Sequence, residues 1–229
     1  MEDGYNVVGC ARTPGATQNA LEDLGERAVG LDADVTRSEE VQRVVDAALD
    51  RFGGVDVLVN NAGVYRRCGF LDVTEEEWTK TMAINVTGVF IFSQAAARAM
   101  IASGAADRGG GRIVNIASVA GLFAESESAP YNASKGAVIS LTRSLASDLA
   151  LDGIATTCVA PGWVDTGIDP ILESLGPNEM KRLNPQGRVG STAEVAHVVS
   201  ALCDPQASYM NGAIVTVDGG QLAASPDPV

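Results

Sequence analysis

Tyr131 and Lys135 stand four residues apart in a segment of helical period, so their side chains leave one face of a helix. Ser118 lies thirteen residues before the tyrosine, just beyond a predicted strand end. A hydroxyl, a phenol and an ammonium together suit proton transfer to or from a carbonyl or alcohol oxygen. A phenol with an ordinary pKa near ~10 is a poor acid or base at neutral pH, and an ammonium one turn away would lower that value. Ser118 would hold the reacting oxygen by a hydrogen bond. Taken alone, the Tyr and Lys spacing is weak, because the same pair occurs in many helices as a packed tyrosine beside a solvated lysine.

The elements that must position these groups follow from apolar periodicity. Short Val- and Ile-rich runs at residues 6–10, 27–31, 55–59, 112–116, 154–159 and 213–217 read as strands. Segments 17–24, 38–52, 75–103, 131–151 and 192–203 between them read as helices. Such alternation predicts an α/β fold with a parallel sheet covered on both faces. Ser38 with Glu40, and Thr74 with Glu75, Glu76 and Glu77, carry the caps and acidic first turns of helix starts. Gly109, Gly110 and Gly111 follow a helix and precede a strand, the order of a turn and not of a phosphate loop. No repeat or composition shift divides residues 1–229, which read as one domain. The irregular stretch 166–190, interrupted by Pro170, Pro177 and Pro185, is either a lid or a surface connection.

Four further groups fall at strand ends or in a neighbouring helix, where ligands of open α/β sheets bind. They are Asp34-Val35, Asn60-Asn61-Ala62-Gly63, Asn85, and the run from Pro161 to Thr166 that holds Val164. Composition bounds what such a site can do. With 16 Lys+Arg against 29 Asp+Glu the formal charge is −13, which opposes nucleic-acid phosphate and anionic lipid. No apolar window reaches a bilayer-spanning length and residues 1–12 lack a secretory pattern, so a cytoplasmic location and no membrane partner are expected. Cys10, Cys68, Cys158 and Cys203 are far apart and read as reduced thiols, and one histidine, His197, excludes a multi-imidazole metal site. His197 also lacks a G-x-S-x-G partner, so a hydrolase triad is discarded.

With these motifs in place, the sequence from about Tyr5 to Gln221 resembles the short-chain dehydrogenase/reductase family, most closely its carrier-protein ketoacyl and polyketide ketoreductases. The resemblance implies a Rossmann-like doubly wound sheet and a tetrad of Asn85, Ser118, Tyr131 and Lys135. Tyr131 would be the general acid of reduction, Ser118 the donor to the substrate oxygen, and Lys135 a donor to the nicotinamide ribose as well as the cation beside the phenol. Asn85 would hold a water linking Lys135 to solvent. Cofactor contacts would come from Asp34 and Val35 at the adenine, Asn61, Ala62 and Gly63 near the ribose, and Val164 and Thr166 at the carboxamide. Arg12, with no acidic residue at positions 10 or 11, favours NADP(H) over NAD(H), because a guanidinium pairs with a 2′-phosphate. The lesser alternative is a solvated strand-end arginine.

The family also opens with a strand, a glycine-rich turn and a helix that bind pyrophosphate, and residues 1–5 do not carry that unit. The expectation is that the strand at 6–10 shifts to pair with the strand at 55–59, or that a partner chain fills the slot between them. The implied substrate is a small ketone, secondary alcohol or 3-oxoacyl group, free or on a carrier protein, handled by a homodimer or homotetramer. The alternative is a cofactor-free relative serving as a binding or scaffold subunit. Residues 122–130 and 166–190 would set substrate choice, with Phe123, Ile168, Ile171, Leu172 and Leu175 apolar and Glu125 and Glu127 facing solvent or a polar substrate. Arg66 and Arg67 read either as a steering patch for an acidic partner or as a solvated pair.

Overall fold

β-Branched runs flanked by amphipathic helices produce parallel strands in two sets. The computed structural model describes residues 4–168, 172, 176, 179 and 184–223. In it β1 (Val7–Ala11) pairs with β2 (Ala28–Asp32). A second sheet runs in the order β3 (Val57–Asn60), β4 (Gly111–Ile116), β5 (Ile154–Pro161) and β6 (Ile214–Val217). All pairings are parallel, with Val57 opposite Arg112, Gly111 opposite Ile154 and Cys158 opposite Ile214. β4 and β5 are buried along almost their whole length, as strands covered on both faces must be.

One face is covered by α2 (Ser38–Phe52), α4 (Gly88–Ala102) and α5 (Ala129–Asp148), through Val41, Val44, Phe92, Val138 and Ile139. The other is covered by α6 (Thr192–Cys203), whose Leu202 and Cys203 pack on Val114 and Val159. α1 (Ala16–Leu21) lies across β1 and β2, close enough that a Cβ on Gly30 would stand 2.5 Å from the Gln18 nitrogen. This is the doubly wound α/β arrangement expected from the alternation of periods.

The expected pairing of the first strand with the third does not form; β1 hydrogen-bonds β2 alone. The cause lies in the helix layer. Val8 and Cys10 of β1 and Leu58 of β3 all pack on the cluster made by Val41, Val44 and Phe92. Both strands are thus spaced by α2 and α4, with a cavity of about 650 Å³ between them. Tyr5 closes part of its base and donates its hydroxyl to the Cys203 carbonyl at 3.2 Å.

Other boundaries shift for local reasons. The segment read as one helix from 75 to 103 is α3 (Glu75–Met82), a π-helical turn at Ala83–Thr87, and α4. By length and mean hydropathy, 1.3, Glu75–Ala102 would suffice to cross a bilayer, although it is interrupted by polar residues and holds no continuous apolar run of that length. Here the π turn and α4 pack in the core while α3 stays at the surface, and the buried Asn85 and Ser93 are hydrogen-bonded to Ser134 and Asn60. α5 starts at Ala129, two residues early, because Pro130 fits a first helical turn where no N–H donor is needed. The Thr74 cap forms as read, accepting from Glu77 N–H. Ser38 is the first helical residue of α2 and Arg37 its cap, while Glu40 reaches back to accept from the Asp34 N–H at 2.8 Å. Gly109 and Gly110 take positive φ and make the turn into β4.

Candidate active site

The carboxyl ends of β3, β4 and β5 open onto a cavity of about 780 Å³. The candidate groups Ser118, Tyr131 and Lys135 come from two places, the end of β4 and the start of α5. Ser118 follows β4, in extended backbone, and caps the short turn Val119–Gly121 by accepting from the Ala120 N–H at 3.1 Å. Tyr131 and Lys135 project from the first turns of α5. Gly121 lets that helix approach: a Cβ there would stand 2.6 Å from the Lys135 carbonyl carbon. The close approach of turn and helix is what sets Ser118 beside Tyr131, near enough for the serine hydroxyl to favour ionisation of the phenol, while Ser118 Oγ donates to the Pro161 carbonyl at 3.5 Å.

Burial pushes the Tyr131 phenol up to about 12, with the Glu125 carboxylate and Tyr65 adding to the rise and the Ser118 hydrogen bond opposing it. This reverses the direction expected from the sequence. Lys135 lies 5.5 Å from the centre of the tyrosine ring, and its Nζ donates to the Ile116 carbonyl at 2.9 Å. Burial of the lysine itself, 4% exposed, brings it down to about 8. Desolvation therefore outweighs the attraction of ammonium for phenolate, a balance that spacing along a helix does not contain. At neutral pH the site holds a protonated phenol and an ammonium.

Asn85 sits in the π turn, which widens the helix by one residue and turns its amide inward. Its Oδ1 accepts from the Val64 N–H at 2.8 Å, and its Nδ2 donates to the Val64 carbonyl at 2.9 Å and to Ser134 Oγ at 3.0 Å. Ser134 in turn donates to the Tyr131 carbonyl at 2.8 Å, so Asn85 ties the loop after β3 to the helix that carries tyrosine and lysine. Asn85 Oδ1 and Lys135 Nζ both lie 3.5 Å from where a Cβ on Gly63 would stand. A side chain at Gly63 would come between them.

The remaining sequence candidates divide between the two cavities. Val164, Thr166, Phe123, Ile168 and Leu172 line the cavity that holds Ser118, Tyr131 and Lys135, whereas Ile171 and Leu175 lie outside the described residues. Arg12, Asp34 and Val35 line the cavity beside β1. Asn61, Ala62 and Gly63 line both, so the two form one cleft along the strand ends. Thr36 donates its N–H and its hydroxyl to Asp34 Oδ1, at 2.9 and 2.7 Å, and holds that carboxyl below its usual range.

Two participants were not singled out by sequence reasoning. Tyr65 packs edge-on against Tyr131, with ring centres 4.9 Å apart at 83°, and hydrogen-bonds Glu125. Ser134 was likewise passed over, since a lone serine in a helix carries no spacing signal, and Trp163 was noted only as part of the run from Pro161 to Thr166. Of Arg66 and Arg67, read as a steering or solvated pair, Arg66 stays exposed and pairs with Glu77, whereas Arg67 is half-buried and pairs with Glu125 and Glu127.

Comparison with known proteins places this geometry. Residues 1–221 match a family model described as enoyl-(acyl carrier protein) reductase. The 3-oxoacyl-(acyl-carrier-protein) reductase FabG of Vibrio cholerae is 36% identical over 219 residues, covering 96% of this chain and 88% of its own. Dehydrogenase/reductase SDR family member 4 of Mus musculus is 36% identical over 225 residues, covering 96% and 79%. Among solved structures, a gluconate 5-dehydrogenase from Burkholderia cenocepacia in complex with NADP and tartrate superposes with a TM-score of 0.88 at 34% identity, covering 98% of this chain and 88% of that one.

Proposed function

The chain belongs to the short-chain dehydrogenase/reductase family of oxidoreductases, and from that premise we propose that it reduces a ketone or 3-oxoacyl group, free or carrier-bound, with NADPH. The observation that carries this reading is the convergence of a protonated phenol, a serine hydroxyl and a buried ammonium on one 780 Å³ cavity. The names of the relatives supply the substrate class, and the NADP complex of the gluconate 5-dehydrogenase supports the cofactor.

The residues present fit the two ends of such a cofactor. Arg12, exposed at the end of β1, offers a guanidinium to a 2′-phosphate, and Val35 an apolar wall to adenine. Gly63, lacking a Cβ, leaves open the space in front of Lys135, which would donate to the ribose. Val164 and Thr166 would meet the carboxamide. When bound, the nicotinamide supplies the hydride. Ser118 then orients the carbonyl oxygen, Tyr131 gives it a proton, and Lys135 offsets the negative charge left on the phenol. Asn85 holds Lys135 and Tyr131 in register through Ser134, and its relay through a water to Lys135 belongs to the same proposal.

A redox-silent binding subunit is the second reading. It is favoured by one observation: among the described residues, the start of α1, at Gly15, does not line the cavity between β1 and β3 where a pyrophosphate would have to pass. The two readings separate in one assay. Purified protein mixed with NADPH and a β-keto ester is expected to consume nicotinamide absorbance in proportion to ester. No consumption with any ketone or 3-oxoacyl thioester would leave the second reading.

A further inference from the structure

Ser118 and Tyr131 reach one cavity, but they are held there by different means. Ser118 is a short side chain whose place follows from its backbone. Tyr131 carries its hydroxyl at the far end of a ring that swings about two torsions, and a displacement of about 1 Å at a reacting atom costs on the order of a hundredfold in rate. The backbone of Tyr131 is fixed by α5 and by Ser134, which donates to its carbonyl at 2.8 Å. Neither of these ties restrains the ring.

Tyr65 touches the ring itself. It lines the cavity from the loop after β3, half-buried, and meets the Tyr131 ring edge-on with centres 4.9 Å apart at 83°. Such a pair favours the geometry it forms by a factor of about two to ten. Tyr65 is in turn anchored from two directions. Val64, just before it, is held through its N–H and its carbonyl by Asn85, at 2.8 and 2.9 Å. The Tyr65 hydroxyl donates to Glu125 Oε1 at 3.2 Å and shares a hydrogen bond with Ser128 Oγ at 3.3 Å. Ser128 is fully buried and is the cap residue of α5, the helix that carries Tyr131.

We propose that Tyr65 is a positioning residue for Tyr131: anchored by Val64 on one side and by the start of α5 on the other, it holds the phenol ring in the orientation that sets its hydroxyl beside Ser118. This rests on the reductase reading for the reaction in which the effect is measured, but not for the orientation itself. The same contact keeps water from the phenol. Burial, followed by Glu125 and Tyr65, holds Tyr131 at about 12 against the opposing Ser118 hydrogen bond. Lys135, with Nζ 5.5 Å from the ring centre, is the cation that faces it. Removing the Tyr65 ring admits water and eases ionisation. The two loops stay joined without it, because the Cys68 N–H donates to the Glu127 carbonyl at 2.6 Å and Arg67 Nη2 to Glu125 Oε1 at 3.0 Å.

The test compares the parent with Tyr65→Phe, which keeps the ring and loses the hydroxyl, and Tyr65→Ala, which loses both. With ethyl 3-oxobutanoate and NADPH, kcat is expected to fall about threefold in Tyr65→Phe and about thirtyfold in Tyr65→Ala, with both KM values within about twofold of the parent. The pH at which oxidation of the matching alcohol sets in is expected to move down in Tyr65→Ala and to lie near that of the parent in Tyr65→Phe. A rise in KM at unchanged kcat, as loss of a mere wall of the substrate site gives, overturns the proposal; so does an onset of oxidation that stays in place in Tyr65→Ala. A second arm needs no activity. In NMR spectra of ring-labelled tyrosine, with the Tyr131 signals identified by their loss in Tyr131→Phe, that ring is expected to flip about tenfold faster in Tyr65→Ala than in the parent. Unchanged flipping overturns the proposal. If Tyr65→Ala melts below the assay temperature, the same readings on Tyr65→Leu decide. No NADPH consumption by the parent would sink the reductase reading, with the ring signals still deciding the role of Tyr65.

Discussion

Replacing Tyr131 with Phe is expected to lower kcat for carbonyl reduction by about 10³-fold while leaving NADPH affinity and melting temperature near those of the parent. The ring keeps its edge contact with Tyr65 and its place on α5, so the variant removes one hydroxyl from an otherwise intact cavity. Because burial pushes the phenol up to about 12, it stays protonated through neutral and mildly alkaline pH and is poised to give a proton, not to take one. Reduction by the parent is therefore independent of Tyr131 ionisation across that range. Oxidation of the matching alcohol needs the phenolate and is expected to accelerate steadily as pH rises. Stopped-flow reduction rates of parent and Tyr131→Phe, with cofactor binding measured separately, check this. A variant retaining more than about a tenth of the parent rate would take Tyr131 out of the chemistry.

The second large effect belongs to Lys135. Its folded pKa is depressed from 10.5 to about 8 by burial, so it is a cation below that pH and neutral above it. If its charge offsets the phenolate formed when Tyr131 gives up a proton, reduction is fastest below pH 8 and falls as pH rises through it. Lys135→Met keeps length and apolar bulk but no charge. It is expected to reduce kcat by about 10²-fold and to abolish the fall near pH 8, leaving a flat profile at the lower rate. The donor to the Ile116 carbonyl is lost as well, so melting temperature is recorded alongside. A rate loss with the alkaline limb unmoved would assign that limb to another group.

Tyr131, Lys135 and Ser118 were legible because their spacing is local: i and i+4 on a helix, and a strand end one short loop away. The helices at Ser38–Phe52 and Thr192–Cys203 were bounded correctly for the same reason, their starts being marked by acidic first turns and their ends by a loss of period. The π turn at Ala83–Thr87 was not legible, since one added residue in a long apolar helix leaves the period almost unchanged. Yet it is what turns Asn85 inward. The direction of the Tyr131 shift was also hidden, because the burial that drives it comes from packing of elements distant in sequence, such as the loop after β3 that carries Tyr65. Arg67 looked like surface charge until the loops after β3 and before α5 were seen to meet. The split between β1 and β3 depended on how α2 and α4 space the strands, a matter of packing across the core rather than of any strand's own sequence.

Carbonyl reduction by this protein requires that the cleft hold NADPH. Titrating the 229-residue chain with NADPH and NADH, by nicotinamide fluorescence, tests that directly, with Arg12→Ala as the companion protein. Saturable binding with NADPH preferred, and the preference lost in Arg12→Ala, is the predicted result. No binding of either nucleotide, or equal binding unaffected by Arg12→Ala, would contradict it.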